Sequence, residues 1–344
     1  MDIRLETFSW DKTALNKVEL SHNTGTGTKV SIASGHLDLE PQFGSDDAQA
    51  EPVNNQGATD LQKSSDSETG PLSVDIHSLD KVYFSEDRFL TNVTAHFEFD
   101  QGGWQSIQMS GLTPKVEVTH RLSSSDNKST SLGNTFNFSF GPLQNNSYPL
   151  SIDVDNLGML LATVLDSQAL TGGKLHISGE SRDAFGEAPF DTDFELNKFK
   201  ILDAPVFAQV LNFASLPQTL NTLNKEGLMV DSFYGDLSLS GTTLSSHLLR
   251  THSSTIGATI GGKLDYASTD LDLKGHLIPL DKVSHFVGKI PVLKHVLVSD
   301  DDAGIIALDY TVSGTLGKPK ISVKPGSLLT PGALRDIFSP NSDQ

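Results

Sequence analysis

Apolar and polar residues alternate with period two along most of this 344-residue chain. Residues 1–40 carry short alternating runs at Ile3 and Leu5, then at Val30, Ile32, Leu37 and Leu39, with Gly25 and Gly27 as punctuation. The pattern returns over 72–150 in LSVDIHSL, VTAHFEFD, WQSIQMSG, KVEVTHRL and NTFNFSFG. Phe97 and Phe99 share one face there, as do Phe136, Phe138 and Phe140, while the intervening positions are His, Glu, Asn, Thr and Ser. That is the signature of antiparallel strands with one wet face. In the last part, 151–344, strands are predicted at GGKLHISG, FDTDFELNKFKI, across 228–277, and at IIALDYTVSG and KPKISVKP. One phrase recurs: LSLSG at 237–241, with near-copies at 107–111, 175–179, 271–275 and 310–314. It reads as a strand reaching its end, with glycine where the chain bends. The spacing is irregular, so it is no strict repeat.

Helical spacing interrupts the strands in a few places. Leu157, Leu160, Leu161, Val164 and Leu165 predict a helix capped by Asp155 or Asn156. APVFAQVLNFA opens on Pro205, suited to a first helical position, and LPQTLNTLNKEG ends on a helix-stopping glycine. PLDKVSHFVGKIP and TPGALRDIF predict two further short helices. Residues 41–71 are polar and acidic with almost no large apolar group, and they read as a disordered loop. Short connections elsewhere favour hairpins over parallel crossovers.

Composition narrows the function classes. With 43 acidic against 25 basic residues the formal charge is −18, which argues against nucleic acid and against an anionic membrane surface as partners. There is no cysteine, so disulfides and thiolate sites are excluded. No run of about 18 apolar residues occurs to span a bilayer, and the first residues lack the pattern of a signal peptide. The chain opens directly in strand-like alternation, which implies a preceding segment in the natural protein.

No catalytic constellation stands out. GATIGGKL at 257–264 is close to a phosphate loop, but Leu264 replaces the required hydroxyl and a strand pattern follows, so it reads as a hairpin turn, like TGGKL at 171–175. Asp300, Asp301 and Asp302 read as a solvated turn, since the spacing of a calcium loop is missing. His247 and His252 are placed on opposite faces of a strand, and Asp191 and Asp193 on one wet face. No metal, cofactor or nucleophile motif emerges.

The segment from Asp155 to Phe338 resembles the C-terminal region of the AsmA-like proteins, of the YhdP-type branch. Four phrases carry the likeness in order: DNLGMLLATVLDSQALTGGKLHISG, FKILDAPVFAQVLNFASLPQTLNTLNKEGLMVD, LDLKGHLIPLDKVSHFVGKIPVLKHVL and YTVSGTLGKPKISVKPGSLLTPGALRDIF. Residues 1–150 match only in style. The resemblance implies a mainly β fold with short helices, in which a long curved antiparallel sheet forms an apolar groove capped by helices at its C-terminal end. It implies a periplasmic protein, tethered to the inner membrane, that lets phospholipids pass between the membranes of Gram-negative bacteria. The chain departs from the family in lacking the membrane helix and most of the length. On this reading acyl chains are the partners and no cofactor is needed. Leu237, Leu239, Leu271, Leu273, Ile306, Leu308, Tyr310 and Val312 line the groove, and Leu334, Ile337 and Phe338 form a helix edge that caps the sheet or meets the outer membrane. The rival expectations are a structural or protein-binding β scaffold in envelope assembly, and a glycan hydrolase built on carboxylate pairs.

Overall fold

The computed structural model describes residues 1–43, 70–100, 103–114, 134–143, 147–182, 190–202, 205–214, 217–254, 256–279 and 305–329. The rest of the 41–71 segment, the strand expected at 115–122, the helix expected near 279–291, Asp300 to Asp302 and the helix at 330–338 lie outside these residues, at least in part. The fold is mainly β with short helices, the class that the alternation predicts. It divides into two compact units, one of residues 1–167 with 180–188 and the other of 168–179 with 189–344.

The first unit holds eight strands in sequence order: β1 (Asp2–Trp10), β2 (Thr13–Asn23), β3 (Gly27–Asp38), β4 (Leu72–Tyr83), β5 (Phe89–Asp100), β6 (Gly103–Leu112), β7 (Thr135–Phe140) and β8 (Tyr148–Val154). A single helical turn, α1 (Glu40–Phe43), follows β3, and α2 (Leu157–Leu165) follows β8. Asn156 caps α2, its side chain accepting from the Met159 N–H at 3.0 Å. All neighbours are antiparallel except β3 and β4, which run parallel. This one departure falls at the longest connection between strands in the unit, as a parallel neighbour needs a crossover rather than a tight turn.

Register turns the one-dimensional alternation into two-dimensional rows. Ile3, Leu20, Val30, Val74, Phe97, Ile107, Phe140 and Leu150 stand directly opposite one another from β1 to β8. Leu5, Val18, Ile32, Ile76, Ala95, Met109, Phe138 and Ile152 form the next apolar row. On the other face Arg4, Glu19, Ser31, Asp75, His96, Gln108, Ser139 and Ser151 form a row with no apolar member. A slip of one residue would turn a whole row inside out.

The second unit repeats the plan with β9 (Leu170–Ser181), β10 (Phe190–Ile201), β11 (Leu228–Ser240), β12 (Thr243–His252), β13 (Ile256–Asp265), β14 (Asp270–Pro279), β15 (Ile305–Thr315) and β16 (Lys318–Leu329), in sequence order. Between β10 and β11 run α3 (Pro205–Phe213) and α4 (Pro217–Glu226). Leu196, Phe233, Thr251, Ala258, Leu277 and Leu308 form a transverse row from β10 to β15. The core gathers Val210, Leu211, Ala214 and Leu223 with Leu228, Ile256, Ala258, Leu271, Leu277, Leu308, Tyr310 and Val312. The two helices thus lie against the apolar face, and α3 packs on β16.

Several of the strands of 10 to 13 residues break alternation near their middles. Lys17, Asn92 and Lys198 have φ of 50, 50 and 56°. Around Lys17 and Lys198 the inward set shifts by one residue: Leu15 then Val18, Leu196 then Phe199. Lys198 faces Asp231 across the pair, with Nζ to Oδ1 at 2.7 Å, so the polar residues made redundant by the shift meet outside. β11 and β12 carry a bulge, 235–237 against 246–249. Bulges bend strands and increase local twist.

The five-residue phrase ends a strand only in part. Gly241 follows β11 in a turn, and Gly314 lies one residue before the end of β15. Gly111 likewise lies one residue before the end of β6, whereas Gly179 and Gly275 stand further inside β9 and β14, correcting the expectation of strand ends throughout. At Gly275 a Cβ would fall 1.8 Å from the Thr259 carbonyl oxygen and 2.8 Å from the Tyr310 hydroxyl. Tyr310 stands opposite Gly275 and reaches across it, donating to the Thr259 carbonyl at 2.7 Å. The glycine is needed for this close approach of a ring and a backbone. The GGKL stretches are likewise not turns: Gly261 and Gly262 sit within β13, and Gly172 and Gly173 within β9.

Replacing Gly275 with Ala is expected to destabilise by more than about 2 kcal/mol in urea unfolding, by forcing backbone apart. Tyr310→Phe leaves a buried carbonyl without its donor and is expected to cost about 1–3 kcal/mol. Burial also raises the Tyr310 hydroxyl well above its ordinary value. Stability should therefore hold below about pH 10, the ordinary tyrosine value, and fall as the pH rises beyond it. Tyr310→Phe should flatten that alkaline limb.

Candidate functional site

Each unit has an apolar face covered by helix at one end of its strands and less covered at the other. In the first unit Leu79, Val82, Leu90, Val93, Phe136 and Val154 are buried. α2 packs on β5 at this end, and Arg88 Nη1 donates to the Thr163 carbonyl at 3.3 Å. Across the shift in alternation lie the two apolar rows. Apart from Phe140 and Ala95, none of their sixteen members is buried: Ile3 and Leu5 are exposed and the others half-buried. Eight strands at a spacing of about 4.8 Å make this strip about 34 Å long. Aromatic edges line it, with Trp104 against Phe97 and Phe99 at centroid distances of 6.0 and 5.4 Å.

In the second unit the helices α3 and α4 bury one end of the face, at Leu228, Val230, Ile256, Leu277 and Leu308. Toward the opposite strand ends, Leu237, Leu239, Leu244, Leu264 and Leu273 are half-buried. The residues expected to line a groove therefore separate. Leu237, Leu239 and Leu273 lie on the half-covered part. Leu271, Leu308, Tyr310 and Val312 are buried in the core cluster with the two helices. Ile306 lies in β15, and the surroundings of its side chain, like Leu334, Ile337 and Phe338, fall outside the description. The rows of the first unit were not singled out as lining residues. Their signal was present in the shared face of Phe97 and Phe99, but only register aligns strands into rows.

The opposite face is polar in both units. Asp75 accepts from His96 Nδ1 at 2.6 Å and pairs with Lys29 Nζ at 3.0 Å. Burial pushes the Asp75 carboxyl up, but Lys29 and His96 outweigh it and hold the carboxyl below its ordinary value. In the second unit the bulge of β12 frees two backbone donors, and Asp236 takes both, from His247 at 2.9 Å and Leu248 at 3.3 Å. Burial alone would raise the Asp236 carboxyl, but these donors and the His247 ring outweigh it and lower the carboxyl. The same bulge shifts parity, so His247 and His252 stand on one polar face, correcting their expected placement on opposite faces.

Among the described residues no group of three or more His, Asp or Glu is placed to hold a metal ion. Among them also, no helix is long and apolar enough to cross a membrane. Comparison with known protein families, with curated proteins and with solved structures gave no match.

A covered core position and a half-covered one should respond differently. Leu79→Ala, in the buried part of the face, is expected to cost about 2–5 kcal/mol. Ile76→Ala, three residues away on the strip, should cost less than half as much in the same denaturant titration. Equal losses would mean that the strip is packed as tightly as the core.

Proposed function

We propose that this chain is a non-enzymatic lipid-handling module whose apolar sheet face shields phospholipid acyl chains, working in the periplasm in transport between inner and outer membrane and so in envelope integrity. The observation that carries this reading is the pair of unbroken apolar rows, eight residues each, left half-covered along the first unit. Large apolar strips are rare on a protein surface without a use. The resemblance of 155–338 to AsmA-like proteins supports the same reading.

Energetics favour such a surface over chemistry. Two acyl tails in water expose about 30 methylenes at about 0.8 kcal/mol each, on the order of 20 kcal/mol or more. A surface of Ile, Val, Leu and Phe removes much of that cost without any reacting group. The polar rows on the other face keep that side wet, so the module carries a lipid on one face while remaining hydrated on the other. A carboxylate-pair hydrolase finds less support. It needs a carboxyl raised to act as an acid, whereas Asp236 and Asp75 are both lowered.

Photocrosslinking tests the reading in cells. A crosslinking residue at Ile76 or Leu273 is expected to capture phospholipid, and one at Ser139 on the polar face is not. Absence of lipid adducts at every half-buried inward position would sink the proposal. Protein adducts at those positions in place of lipid would favour the envelope scaffold.

A further inference from the structure

The polar face of the second unit carries a cleft that the lipid reading does not use. It has a volume of about 790 Å³ and is lined by strands β9 to β12. His176, Asp193, Glu195, Tyr234, Arg250 and His252 supply its chemistry. The concavity sits at the bulge between β11 and β12, where Gly235 and Leu248 also line it. Its size is in the range of small-ligand sites.

Three features mark it as more than a wet surface. Asp193 stands directly opposite Asp236, and like charges so placed oppose pairing of the strands. Asp236 is relieved by the two bulge N–H groups, and no such donor reaches Asp193 among the described contacts. Arg250 lines the cleft, and its buried Nε–H has no acceptor among the described residues, so its guanidinium charge is not neutralised through that atom. Glu195, Tyr234 and Arg250 form one transverse row, so acceptor, ring and donor are held side by side on a rigid sheet.

A ligand completing this cleft must donate to carboxylates and accept from a guanidinium within a short distance. A phosphate or carboxylate ligand meets Asp193, Glu195 and Asp236. A basic peptide meets Arg250. A row of hydroxyls does both, because each hydroxyl donates and accepts. Tyr234 adds a ring beside them. We propose that this cleft is a binding site for an uncharged saccharide, on the polar face of the second unit and separate from lipid handling.

The experiment is calorimetric titration of the full chain with maltotriose, cellotriose and chitotriose, in parallel with an oligolysine peptide. Saturable binding of at least one trisaccharide is expected, weakened tenfold or more by Tyr234→Ala and by Asp193→Asn. Glu19→Gln in the first unit should leave it unchanged. Asp193→Asn carries a second readout: removing a like-charge pair should raise the melting temperature while binding falls, which a merely structural aspartate would not do. The proposal is overturned if none of the three sugars binds, if binding survives both variants, or if oligolysine binds in their place. Lipid crosslinking at Ile76 reports separately, so failure of one reading leaves the other standing.

Discussion

Everything in this molecule depends on the registered hydrogen-bond ladder between strands that are neighbours in sequence. In an antiparallel ladder, directly opposed residues project to the same side. Once each strand is set against the next, eight separate alternations in the first unit become continuous rows, apolar on one face and polar on the other. A single residue of slip would expose a row of Ile, Val and Phe and bury a row of Asp, His and Ser. The burial energy of the apolar row and the desolvation cost of the polar one both act against that slip.

The ladder alone would give a regular two-faced sheet. The shifts in alternation divide it into regions with different roles. Around Lys17 and Lys198 two successive polar side chains point outward and the inward set moves by one. Short helices cover the face on one side of the shifts, and the apolar rows on the other side keep partial exposure. The same irregularities shape the polar face: the β12 bulge that Asp236 caps forms part of the cleft wall. The half-covered apolar surface and the polar concavity thus come from one construction, a long strand that has to bend.

Glycine enters this construction for contact as well as for turning. Gly111 lies under the Phe136 ring, with the ring 2.7 Å from where a Cβ would stand, and Gly275 lies under Tyr310. In both cases a large ring on the neighbouring strand covers the gap left by the missing side chain. The phrase ending in Ser-Gly or Lys-Gly therefore has two meanings, a turn at Gly241 and a close approach at Gly275, and sequence alone does not distinguish them.

The sequence pattern by itself determined the strand-rich class, the two-faced character of the strands, and helices α2, α3 and α4 with the Pro205 start, and it narrowed the α2 cap to Asp155 or Asn156, of which the structure uses Asn156. These are local properties, set by side-chain period and by capping chemistry within a few residues. The tertiary structure decided the rest. It buried Leu271, Leu308, Tyr310 and Val312 in one core cluster that includes helix residues while Leu237, Leu239 and Leu273 stay half-covered, because covering depends on elements about 50 to 100 residues away in the chain. It set β3 parallel to β4, put His247 and His252 on one face, and opposed Asp193 to Asp236. Each follows from pairing register and bulges, which are fixed by the summed packing of whole strands and not by any one stretch of residues.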